Sequence, residues 1–88
     1  MQDPRPVVFW RSARKHRIGR GRAREVMASS AGERVAGGEG RDPLLCWMGT
    51  DSRGLLLEVI ALDLPAAIVV IHVMPVYRER KVGRGTQE

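Results

Sequence analysis

Cysteine occurs once in these 88 residues, at Cys46, so no disulfide can form within the chain and no cysteine-based zinc set can be assembled. A reducing, cytoplasmic setting fits such a chain. Aromatic residues are nearly as scarce, with two Trp, one Tyr and one Phe, which points Trp10 and Trp47 toward the core rather than toward base stacking. A membrane-spanning run is missing as well. The longest apolar stretch, Leu64 to Val76, is interrupted by His72 and two prolines and falls short of the roughly 18–20 residues that a bilayer requires. The N-terminal MQDPRPVVFW carries an acid and two prolines where a secretory signal would place a basic segment and a long apolar run. No membrane partner is expected, and the length allows one domain with a small core.

Acidic residues are absent from one part of the chain in particular. Between Arg5 and Arg24 stand Arg5, Arg11, Arg14, Lys15, Arg17, Arg20, Arg22 and Arg24 with no Asp or Glu among them, within a chain of net charge +5. Beyond Arg24 the acids outnumber the Lys and Arg residues, nine to seven, so the positive charge belongs to the first quarter. That asymmetry is the electrostatic footprint expected for a polyanion such as nucleic acid, or for an acidic protein partner. Arginine dominates it, and the planar guanidinium suits two-point contacts to phosphate better than lysine does. Arg14, Lys15, Arg17, Arg20, Arg22 and Arg24 are therefore the candidate nucleic-acid-binding residues. The competing reading of the same stretch is a solvated helical face.

The pattern along the chain predicts an α+β domain over residues 1–82 and a disordered tail over 83–88. VVFW at 7–10 is a short apolar patch, a brief strand or the first anchor of the fold. A short helix is expected near 11–17, with the Ser12 hydroxyl as its N-cap. A second helix is expected near 20–30, where Ala23, Val26, Met27 and Ser30 recur at helical spacing. AGERVAGGEGRDP at 31–43 has four glycines and little to bury, which predicts a flexible loop. LLCWMG, GLLLEVIAL and AIVVIHVM follow, separated by TDSRG and DLPA, connectors of hairpin length. The expected architecture is two N-terminal helices packed on an antiparallel β-meander of three strands, or four.

The last of these runs leads into His72, Tyr77, Arg78 and Arg80. A strand that ends in such residues delivers proton-transfer and phosphate-binding groups from a rigid support. His72 has a competing reading as a satisfied core histidine inside an apolar strand. Glu58 reads as a paired structural carboxylate, and whether it shares a face with His72 depends on the register of the hairpin. Cys46 reads as a small buried hydrophobe rather than a nucleophile.

RKHRIG at 14–19 with the helix ending REVMAS, WMGTDSRGLLLEVIAL and IHVMPVYRER together resemble, in that order, the turn and helix, the middle strands and the final strand of the RelE superfamily of bacterial toxin ribonucleases, its BrnT-like members above all. Arg17 and Gly19 depart from the pattern, standing where that group usually has a turn Gly and a helix-capping Ser. The resemblance implies the toxin of a toxin–antitoxin pair, an endoribonuclease that cuts mRNA and inhibits translation. Its implied partners are a cognate antitoxin and RNA, including ribosome-bound mRNA, with no metal or other cofactor. Such cleavage needs a base for the 2′-hydroxyl proton, an acid for the leaving 5′-oxygen and cations for the phosphate. His72 and His16 are the candidate proton-transfer groups, Arg78 and Arg80 the phosphate clamps, and Tyr77 stands beside them. The alternatives from the same residues are a non-catalytic nucleic-acid-binding module and an inactive relative that only binds an antitoxin.

Overall fold

Residues 3–76 are described by a computed structural model of the chain. In chain order they form strand β1 (Val7–Phe9), a 3₁₀ turn (Arg11–Arg14), helix α1 (Arg20–Ser29), and strands β2 (Glu33–Val35), β3 (Leu44–Thr50), β4 (Leu56–Asp63) and β5 (Ile68–Pro75). The three long apolar runs are β3, β4 and β5. They pair antiparallel, with Trp47 opposite Val59 and Val59 opposite Val73.

The architecture differs from two helices on a three- or four-stranded antiparallel meander. The sheet has five strands in the order β1-β5-β4-β3-β2, and it is mixed because β1 runs parallel to β5. Among the described residues, one α-helix packs on it. The expected helix near 11–17 is a single 3₁₀ turn, because that segment is held to the sheet edge rather than free to wind. The Trp10 N–H donates to the Val70 carbonyl (2.8 Å), and the Ser12 hydroxyl, expected as an N-cap, donates instead to the Ile71 carbonyl (2.7 Å). VVF becomes a strand because its backbone completes the edge of β5, whose Ile68 N–H also donates to the Pro6 carbonyl.

The segment 31–43, expected as a flexible loop, contains β2, which pairs antiparallel with β3. All three β2 residues are exposed, so backbone pairing rather than burial makes this strand. Gly38 and Gly40 take positive φ values of 83° and 74°, which lets the chain turn back from β2 toward β3 without a Cβ clash.

The core lies on one face of the sheet. Ala23 and Val26 of α1 are fully buried against it, with Trp47, Leu57, Val59, Val70 and Val73 contributed by the strands. The Arg22 guanidinium and the buried Asp51 carboxylate, 2.6 Å apart, fasten α1 to the β3–β4 turn. The opposite face carries Leu44, Cys46, Ile60, Leu62, Val69 and Met74, all half-buried, and Met48, which is exposed. No helix among the described residues is long and apolar enough to cross a membrane.

Candidate functional site

Alternation in β5 places Ile68 and Val70 on the core face and would send residue 72 there too. A bulge intervenes. Ile60 pairs with His72 while the next residue, Ala61, pairs with Val70, so Ile71 has no partner of its own in β4. One extra residue reverses the alternation: Val73 turns inward and is buried, whereas His72 turns to the half-open face, its side chain 34 % exposed. His72 is therefore not a core histidine. The same register brings Glu58 onto that face, with its Oε1 3.6 Å from His72 Nε2. That spacing is too long for a direct hydrogen bond.

The turn that follows the 3₁₀ segment supplies the second imidazole. Within that segment Ala13 is buried and Ser12 is bonded to Ile71, which fixes the following residues beside the C-terminal half of β5. The His16 ring lies edge-on to His72, with centroids 6.2 Å apart and planes at 77°. Both candidate proton-transfer residues thus stand together, drawn from opposite ends of the chain. Tyr77, Arg78 and Arg80 lie outside the described residues.

Cys46 occupies the same face, in the row Cys46, Ile60, His72 across β3, β4 and β5. Burial pushes its thiol pKa up, and the negative charges of Glu58 and Glu33 push it further. A thiol so disposed yields little thiolate and is a poor nucleophile. It is half-exposed rather than buried. The described residues contain no group of three His, Cys, Asp or Glu side chains placed to hold a metal ion.

The cations divide into two sets. Arg5 and Arg22 are engaged in structure: Arg5 Nη1 donates to Asp63 (2.6 Å) and to the Leu64 carbonyl (2.7 Å), and Arg22 Nε donates to Asp51. Arg11, Arg14, Lys15, Arg17 and Arg20 are exposed, and none of the ion pairs among the described residues includes them. Arg24 is also exposed and sits over the Phe9 ring, 5.4 Å from its centroid. Of the six candidate nucleic-acid-binding residues, five present their charge outward and Arg22 does not.

Sequence reasoning placed Trp10 in the core, and the structure does not. Its exposure is 58 %, against 8 % for Trp47, and with Phe9, Arg11 and Arg14 it borders a cavity of about 290 Å³. A signal for this was present: Trp10 directly follows β1 and leads into the dense run of cations that begins at Arg11. An exposed indole among arginines offers a π-face for stacking and cations for phosphate. No family model, curated protein or solved structure matches this chain.

Proposed function

We propose that this protein binds single-stranded RNA along its basic N-terminal segment and cleaves it by proton transfer at His16 and His72. The observation that carries the reading is the meeting of these two imidazoles on the half-open face of the sheet, beside an exposed cationic segment. Imidazole is the side chain best suited to both proton-transfer roles at neutral pH. The 2′-hydroxyl oxygen attacks the phosphorus as His72 takes its proton, and the charge that develops on His72 faces Glu58. The bond from phosphorus to the 5′-oxygen breaks as His16 donates a proton to that oxygen. The products are a 2′,3′-cyclic phosphate and a free 5′-hydroxyl, with neighbouring arginines bearing the phosphate charge.

The resemblance of RKHRIG, WMGTDSRGLLLEVIAL and IHVMPVYRER to BrnT-like toxins of the RelE superfamily supports placing this activity in a toxin–antitoxin pair. There the protein acts in the cytoplasm on mRNA, with a cognate antitoxin as partner. Induction of the chain in bacteria tests that placement: growth arrest relieved by co-expression of the adjacent gene supports it, and unimpaired growth removes it. Incubation of the purified protein with labelled RNA, alone and with ribosomes, tests the chemistry through the cyclic phosphate end.

A second reading, a nucleic-acid-binding module without cleavage, is favoured by the exposure of Trp10 beside Arg11 and Arg14. The second reading requires Trp10 at the interface. Trp10→Ala is expected to weaken RNA binding by roughly tenfold, the effect of losing about one stacked base, as read by fluorescence anisotropy. An unchanged affinity would remove the indole from the interface. Salt-sensitive binding with no cyclic phosphate product would establish the second reading in place of the first.

A further inference from the structure

Arg14, Arg17 and Arg20 line one shallow cavity of about 350 Å³, whose other walls are Ile18 and Gly19. They come from three different places, the end of the 3₁₀ turn, the connecting loop and the first residue of α1. Three guanidinium groups around one hollow repel each other unless an anion lies among them. Arg17 contributes a second sign. Its φ of 60° is in the left-handed region, which glycine adopts freely and a residue with a Cβ adopts under strain. The strained backbone holds a cation at the rim of this hollow, where glycine would serve the turn at lower cost but carry no charge.

We propose that this cavity seats a phosphate group of the bound RNA strand, next to the bond that His16 and His72 address. The inference rests on the nucleic-acid reading above and assigns three of its cations to one site. His16 lies between Arg14 and Arg17 in the chain, so the hollow and one of the two imidazoles are built from the same short segment. A guanidinium trio suits either an internal phosphodiester or a terminal phosphate, since both present charged oxygens to planar donors.

The test uses 2′-O-methylated oligoribonucleotides, which lack the attacking hydroxyl. Binding is therefore read whether or not the wild-type protein cleaves RNA. Anisotropy titrations across a salt series compare the wild type with Arg14→Gln, Arg17→Gly, Arg17→Gln and Arg20→Gln. Arg53→Gln, in the β3–β4 turn, controls for net charge. Each cavity variant is expected to lose about tenfold in affinity and about 0.7 in the log–log salt slope, beyond the control. Arg17→Gly is also expected to raise the melting temperature by about 3 °C, because strain is relieved. Equal losses with 5′-phosphorylated and 5′-hydroxyl strands identify an internal phosphodiester, and a loss confined to the phosphorylated strand identifies a terminal phosphate. Cavity variants that match Arg53→Gln on both strands would overturn the site. So would losses of binding that only follow losses of thermal stability.

Discussion

His72→Ala is expected to slow RNA cleavage by about 10²- to 10⁴-fold, the usual contribution of a positioned proton-transfer group, without unfolding the protein. The side chain is about a third exposed on the half-open face, opposite Ile60 and near Glu58, so its removal empties no closed cavity. Melting temperature and RNA affinity should both stay close to the wild-type values. A variant that melts early and loses activity in proportion would return His72 to a packing role. The reversed alternation at Ile71 argues against that outcome, since Val70 and Val73 fill the core on either side of the bulge.

Asp51→Ala is expected to act in the opposite way, on stability first. This carboxylate has a fully buried side chain, and it accepts from the backbone N–H groups of Arg53 and Leu55 (2.9 Å each) as well as from Arg22. Removal leaves Leu55 N–H and the Arg22 guanidinium without their partner at the junction of α1 with the β3–β4 turn. The cost is about 3 kcal/mol. For a domain of this size that corresponds to about 15 °C in melting temperature, measurable by circular dichroism. A drop of only a degree or two would mean that the junction contributes little.

The same carboxylate makes a pH prediction. Burial disfavours the Asp51 charge, but the Leu55 N–H, the Arg22 guanidinium and the Arg53 N–H outweigh it and hold its pKa below the ordinary 3.8. A carboxyl whose folded-state pKa is depressed binds protons more weakly in the folded protein than in the unfolded chain. Its contribution is therefore complete above pH 3.8 and is lost as pH falls through the folded value. Wild-type stability should fall in that acid range, and Asp51→Ala should show a shallower fall over the same interval. Asp3, brought down to about 2 by hydrogen bonds from Arg5, is exposed and adds little to this slope.

The parts of the fold legible in the sequence were those that bury apolar side chains in a regular pattern. Ala23 and Val26 announced α1 through their spacing, and the runs in β3, β4 and β5 were long and branched enough to read as strands. The edges were not legible, because they depend on partners rather than on local pattern. Glu33, Arg34 and Val35 have no buried position to betray a strand, and the three residues of β1 pair in parallel with a strand some sixty residues later. The bulge at Ile71 was hidden for a related reason: in IVVIHVM the apolar residues are too continuous for a change of phase to show. That one residue decides the face of His72. The candidate site was legible as residue types, His16, His72 and a run of arginines, but its assembly was a tertiary fact. Arg22 illustrates the limit. Its neighbours in sequence suggested a phosphate contact, and a carboxylate from the β3–β4 turn occupies it.

The most direct test of the paired-imidazole account is a double-mutant cycle, with cyclic phosphate formation measured under single-turnover conditions for the wild type, His16→Ala, His72→Ala and both together. Two groups acting in one proton-transfer step should give a double variant about as slow as either single variant, so that the losses do not add. Losses that simply multiply, or a wild-type protein that forms no cyclic phosphate with or without ribosomes, would contradict it.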